Sequence, residues 1–500
     1  MTDVNWVEAA EARTFEVYNF VGGKRSPSAG TRDIEKRAAR NGALLYTFGE
    51  GVRADVDAAV AAAKAAFDDG VWCKKSVHER KAVLNKLAGL IEENAEELAL
   101  NESMDVGKPI TSALQVDISM AAGAIRAAVE AADQLYGASA IDGGIHSYQI
   151  RKPIGVVGAI VGWNFPLLLA CQKAGPALVM GNSLVLKPSE FTSLSACRLA
   201  ELAIEAGVPA GAFNVVNGAG EIVGDTIARH PDIRVLSFTG SSATGKRLQV
   251  AAGESNMKRL VLECGGKSPF LVFDDFNGGL DELAKNIVCD TAFRNQGAVC
   301  VSSTRLLLQR GIREKLLPRL LERTQAIQPG DPLDPNTTFG AVMNQAHMNK
   351  VLAYVSSGLD GGAELLCGGE RILEETGGYY LSPAIFDKVK PDQRIAKEET
   401  FGPLVALFTF DTEEEALALA NDSEYGLAAY AATTDANRIH RLSRDLEAGH
   451  IILIGSVSSS PGGIVFGIEP AKQSGFGVEG GVVGLMPYTT CSHVMTQFEG

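Results

Sequence analysis

Apolar positions fall into two patterns along the chain, and the change from one to the other divides the sequence. Residues 55–70 and 78–100 carry apolar side chains at helical spacing, and in the second segment Val83, Leu84, Leu87, Leu90, Ile91 and Leu98 share one face. Both segments predict amphipathic helices. After about residue 150 short apolar runs alternate with helical stretches, which predicts parallel β-α-β units. The expected strands are 156–161, 183–186, 213–216, 235–238 and 259–263, five strands with four helical stretches between them, enough for a dinucleotide-type sheet. A second α/β series begins near Leu271, with a helix expected over 280–296 and a strand at 305–309. Residues 461–484 are glycine-rich and read as loop. The uncharged stretch 154–172 has the length of a membrane span. Gly155, Gly158, Gly162, Asn164 and Pro166 break it, so it reads as a buried strand followed by a buried helix.

Composition narrows the class. A chain of 500 residues exceeds the size of a single hydrophobic core, so two or three domains are expected. With 46% hydrophobic and 21% charged residues it falls among ordinary α/β enzymes. A net charge of -14 opposes a nucleic-acid partner, whose phosphates are bound mainly by Lys and Arg. The acidic start MTDVNWVEAAEARTFEVY has neither a basic nor an apolar leader region, so no secretory signal is read and a cytoplasmic setting without a membrane partner is expected. The eight cysteines (73, 171, 197, 264, 289, 300, 367, 491) form no CxxC pair and are not spaced with the seven histidines, so neither a metal nor a redox dithiol is suggested.

Several segments could carry chemistry. Gly218, Gly220 and Gly224 give GxGxxxG, one residue off the dinucleotide fingerprint. FTGSSATG, containing Gly240, Ser241 and Gly245, is better placed: a strand end, small residues and a helix start would offer free N–H groups to a pyrophosphate, although an ordinary strand-to-helix turn fits as well. In FRNQGAVCVSSTR, Cys300 follows a glycine turn; a thiol there becomes a strong nucleophile if a site shields and orients it. Glu263 ends a strand before two glycines that permit close backbone approach, and could act as a base. The Asn164 amide after the first strand could stabilise an oxyanion. Lys187 and Glu190 follow the second strand, where they could bond ribose hydroxyls; a solvated loop is the plainer alternative.

Together GWNFP, LKPSE, FTGSSATGK, LECGGKSP, FRNQGAVC, EETFGPL and AKQSGFGVEGG resemble the aldehyde dehydrogenase superfamily, in its order and over nearly the whole chain. The resemblance implies that Cys300 attacks an aldehyde carbonyl, that the Asn164 amide and the Cys300 N–H hold the oxyanion, and that hydride passes to NAD. It implies that Glu263 activates water to hydrolyse the thioester, with Lys173 and Glu479 relaying protons. For the cofactor it implies Lys187 and Glu190 at the adenosine ribose, Trp163 and Ser241 at the pyrophosphate, and Glu399 at the nicotinamide ribose beside Phe401. Glu190 would repel a 2′-phosphate, which favours NAD over NADP. The fold implied is α/β: a Rossmann-type cofactor domain over 1–132 and 152–263, an α/β catalytic domain over 264–483, and a small oligomerisation sheet from 133–151 and 484–500 that would build a homodimer or homotetramer.

The chain departs from the family pattern at Ala298 (often Gln), at Cys264 (often Leu), in the long FGIEPAKQSG loop, at Gly455-Ser456 and in YTTCSHV, none of which carries the core chemistry. Arg294 falls where succinic semialdehyde dehydrogenases hold an arginine for the substrate carboxylate; their second arginine aligns with Gln172, so the clamp is incomplete. A structural ion pair is the alternative role for Arg294. With Phe165, Leu168 and Gln172 in the substrate funnel, an aldehyde bearing a distal polar or anionic group is expected. KAVLNKLAGLIEENAEEL and MDVGKPI look similar to gamma-glutamyl-gamma-aminobutyraldehyde dehydrogenases. A CoA-acylating dehydrogenase, which typically lacks the Glu263 equivalent, a non-catalytic scaffold and a Cys–His thiol hydrolase are the competing readings.

Overall fold

The computed structural model describes residues 4–456 and 466–498. Of the glycine-rich segment expected as loop, 461–465 lie outside the described residues, as do 1–3 and 499–500.

Two mainly parallel sheets dominate. The first has eight strands, and its centre is the parallel set Phe213–Val215, Ser183–Lys187, Val156–Ile160, Ile233–Thr239 and Arg259–Glu263, in that spatial order. Val156–Ile160 and Ser183–Lys187 are buried at every position, as strands with helices on both faces require. The chain runs from Val156–Ile160 outward in one direction, then returns to Ile233–Thr239 on the other side. Strand order therefore reverses between these two strands, which opens a crevice at their carboxyl ends. The five strands read from the sequence are these, with ends shifted by a residue or two. On the far edge Gly475–Phe476 pairs antiparallel with Leu262 and Glu263, so a late segment of the chain returns to the first sheet.

The second sheet has seven strands, in the order Glu364–Cys367, Ala384–Asp387, Leu404–Phe410, Arg305–Gln309, Pro269–Val272, Ala428–Ala432 and His450–Ile454, all parallel except the first pair. A separate three-stranded antiparallel sheet joins Ser139–Asp142, Ile145–Pro153 and Thr489–Gln497.

Two expected helices differ. The segment 78–100 is not continuous: Val77–Glu93 and Ala95–Val106 meet at Asn94, whose backbone leaves helical values (φ -100°, ψ 26°) while its amide donates to the Leu90 carbonyl at 2.8 Å. A side chain bonding its own helix competes with the backbone ladder there. The segment 280–296 is helical only over Leu280–Lys285; it widens to i→i+5 turns over Asn286–Ala292 and then turns left-handed. Leu283, Ile287, Val288 and Ala292 stay buried through the widening, so apolar spacing alone does not separate the two helix types.

Candidate active site

Cys300 lies between the two sheets, on a loop set by backbone strain. Asn295 (φ 49°), Gln296 (φ 56°) and Gly297 (φ 73°) all occupy left-handed conformations, which two of the three adopt at a cost of about 1–3 kcal/mol each. Downstream, the Tyr430 hydroxyl donates to the Val301 carbonyl at 3.0 Å. Cys300 is half-buried, and the protein packed around its thiol pushes it up to about 12; negative charge on Glu399 and Glu263 adds to this, while the N–H groups of Cys300 and Val301 pull the other way. The resting group is therefore a neutral thiol.

Glu263 ends its strand facing the same space. Burial raises its carboxyl well above the usual carboxylate range, Glu479 raises it further, and Lys173 opposes both. Its Oε1 is buried without a hydrogen-bond partner among the described residues. Lys173, fully buried on the helix Pro166–Val179, donates to Glu479 Oε1 at 2.6 Å, and Glu479 keeps a partly exposed side chain. The Lys173–Glu479 pair therefore lies near enough to Glu263 for its charges to act on that carboxyl.

The two glycines after Cys264 let three segments converge. A Cβ on Gly265 would stand 2.4 Å from Glu399 Oε2, and one on Gly266 would stand 2.2 Å from the Cys300 carbonyl oxygen. The Gly266 N–H donates to Glu399 Oε1 at 3.0 Å. From behind, Ser474 Oγ donates to the Gly265 carbonyl at 2.7 Å and its carbonyl accepts from Cys264 N–H at 2.8 Å.

Asn164 follows the first strand of the crevice. Its Nδ2 donates to the Ala298 carbonyl at 3.0 Å, which places the amide beside the Cys300 loop with a second N–H to spare. Phe165 immediately precedes the helix Pro166–Val179, Leu168 and Gln172 lie on its first turns, and Arg294 stands 5.9 Å from the Phe165 ring centroid. The Arg294 guanidinium meets Met120 Sδ at 3.3 Å and has no carboxylate partner among the described residues, so the ion pair considered from sequence is not formed.

The remaining expected cofactor residues, Gly245 apart, lie on the strand ends and turns around the crevice. Lys187 Nζ is buried, donating to the Pro188 carbonyl at 2.8 Å and to Glu190 Oε2 at 3.3 Å. Ser241 caps the helix Ser242–Glu254, accepting from Thr244 N–H, and is exposed. Gly240 packs against the Phe238 ring, while Gly245 faces inward, where a Cβ would meet Cys264 Sγ at 2.7 Å; it seats the helix close to the strand end rather than facing the crevice. Trp163 stacks edge-on with Phe401 (5.3 Å) and His347 (4.9 Å). His347 Nε2 meets the Phe401 carbonyl at 2.7 Å, which makes it a donor and holds Phe401 at φ 55°. Sequence reasoning did not single out His347, Tyr430 or Asn295; each acts through a carbonyl contact that spacing does not encode.

Crevice and thiol define a class: a dinucleotide-type sheet facing an α/β unit whose half-buried cysteine has a carboxylate and an amide beside it. The comparisons are specific. The family model described as aldehyde dehydrogenase family matches residues 26–494. The chain is 43% identical over 495 residues to the NADP/NAD-dependent aldehyde dehydrogenase PuuC of Escherichia coli, covering 99% of this chain and 98% of that one. Among solved structures it is similar to the P. syringae indole-3-acetaldehyde dehydrogenase AldA in complex with NAD+ and IAA (42% identity, all of both chains covered, TM-score 0.96). It is also similar to gamma-glutamyl-gamma-aminobutyraldehyde dehydrogenase from Burkholderia cenocepacia (41% identity, 98% and 99% covered, TM-score 0.94). The chain belongs to the aldehyde dehydrogenase family.

Proposed function

We propose that the protein oxidises an aldehyde carrying a distal polar or anionic group to the carboxylic acid, with NAD as electron acceptor. The observation that carries this is the convergence of Cys300, Glu263 and Asn164 on one space through the Gly265-Gly266 approach. Aldehyde, NAD+ and water give acid, NADH and a proton. The Cys300 sulfur adds to the carbonyl carbon, its proton passing to water in the cleft. The oxyanion lies against the spare Asn164 N–H and the Cys300 N–H, donors fixed before the reaction. Collapse of the thiohemiacetal releases hydride and leaves a thioester. Glu263 then takes a proton from the attacking water, and the excess proton leaves through Lys173 and Glu479.

The cofactor residues fit a dinucleotide. The helix Ser242–Glu254 turns its N-terminus and the exposed Ser241 to the crevice, Lys187 and Glu190 stand at a strand end two strands away, and Glu399 is held by Gly266. Bound NAD supplies the hydride acceptor. Glu190 would repel a 2′-phosphate, so NAD is preferred to NADP.

Support for the substrate class comes from Arg294, a guanidinium without a carboxylate partner among the described residues at the Phe165 side of the cleft, and from the name of one relative, the gamma-glutamyl-gamma-aminobutyraldehyde dehydrogenase. An aldehyde panel varying chain length and terminal charge, followed by NADH absorbance, tests this. Acidic aldehydes should lose about tenfold or more in kcat/KM relative to neutral ones in Arg294→Ala, a charge-assisted bond being worth about 1.5–3 kcal/mol; an unchanged ratio rejects the anionic substrate.

The three units proposed are residues 1–132 with 152–263, residues 264–483, and residues 133–151 with 484–500. The strand Gly475–Phe476 crosses back to the first, and the third serves assembly into a dimer or tetramer. No helix among the described residues is long and apolar enough to cross a membrane; a cytoplasmic site of action is proposed with the cofactor preference.

A further inference from the structure

Lys108 takes no part in the chemistry above, yet it is 1% exposed and sits under the oxyanion donor. The helix Ala95–Val106 stops at Gly107, whose φ of 91° and tight approach to Ala39 and Ala341 admit no side chain. The next residue is thereby turned inward, its carbonyl accepting from Ser103 Oγ at 2.8 Å. The Lys108 ammonium donates to the Asn164 backbone carbonyl at 3.0 Å, pairs with the buried carboxylate of Asp117, lies 3.8 Å from Glu102 Oε2, and stands 4.3 Å from the Phe165 ring centroid. Asn295 Nδ2 donates to the same Asn164 carbonyl at 3.0 Å. Glu102 in turn accepts from Leu167 N–H (3.1 Å) and Ser195 Oγ (2.5 Å), fixing the first turn of the next helix.

A buried ammonium costs several kcal/mol unless its bonds are satisfied. Here its donors meet carboxylates, one ring face and one carbonyl, and that carbonyl belongs to the residue whose amide faces Cys300. We propose that Lys108 is a positioning residue for thioester formation: by holding the Asn164 peptide, with Asn295, it aims the Asn164 amide at the developing oxyanion and sets the Phe165 wall of the substrate funnel. The inference rests on Asn164 as the oxyanion donor.

The test is a double-mutant cycle on the full-length enzyme with a saturating aldehyde, reading the pre-steady-state NADH burst, NAD affinity by fluorescence and thermal stability. Lys108→Met alone strands Asp117, so Lys108→Met/Asp117→Asn removes both charges together. The expected result is a burst slowed about tenfold or more, in the range seen when an oxyanion donor is disturbed, with NAD affinity within about twofold. In an Asn164→Ala background the same pair should change the burst by less than about twofold, because the group being aimed is gone. A merely structural role would lower the burst equally in both backgrounds, and that result, or an unchanged burst, overturns the inference. If the paired variant does not fold, Asp117→Asn alone, which frees the ammonium, is read in the same cycle by the same criteria. Should Asn164→Ala itself leave the burst unchanged, the oxyanion assignment fails; should it slow the burst while the Lys108 variants do not, only the positioning role fails.

Discussion

Glu263 reaches its high proton affinity through burial and through Glu479, with Lys173 pulling against both. The working form of a base is the carboxylate, and its pKa in the folded enzyme is raised. Thioester hydrolysis should therefore gain rate as pH rises through that elevated value and lose it below, on a limb higher than an ordinary carboxylate gives. A kcat–pH profile on a substrate limited by hydrolysis checks this; Glu263→Gln should flatten the limb and lower steady-state turnover by about 10²- to 10⁴-fold while the NADH burst persists. Loss of the burst in step with turnover would remove Glu263 from the hydrolytic step. At this scale the sequence was informative where a motif names the residue: Cys300, Glu263 and Asn164 were singled out from short segments read together, and the Asn164 amide lies against the Ala298 carbonyl of the Cys300 loop. It was silent on His347 and Lys108, because a donor to another residue's carbonyl leaves no spacing signal.

The loop Glu263-Cys264-Gly265-Gly266 is the element on which the site closes, and its two glycines make distinct predictions. A Cβ on Gly265 meets the movable end of the Glu399 side chain, whereas one on Gly266 meets the Cys300 backbone carbonyl. Gly265→Ala should raise KM for NAD several-fold, about 1 kcal/mol, with little change in Tm. Gly266→Ala should displace the nucleophile loop, abolishing turnover and lowering Tm. Equal effects from both would contradict the geometry. The close approach was foreseeable from the two glycines after a strand end. The irregular path over 286–297 was not, because buried apolar residues recur through it at near-helical spacing and the left-handed turn at Asn295 and Gln296 is imposed by the loops packed around it.

Across the molecule, the five parallel strands were legible because burial on both faces writes an almost continuous apolar run. Their spatial order, and the return of Gly475–Phe476 to the first sheet, were not, since pairing between distant strands is decided by packing. The small sheet exposes Ile141 on one face and Met495 on the other, at 76% and 61%, apolar surface that association would cover. Ile141→Glu with Met495→Glu should shift the protein to smaller species by light scattering; an unchanged mass would place the assembly surface elsewhere. The most direct test of the covalent chemistry is peptide mass spectrometry of Glu263→Gln quenched after mixing with NAD and aldehyde. An acyl mass on the Cys300 peptide that requires NAD is the predicted result. No adduct, or one on another cysteine, would contradict a thioester at Cys300.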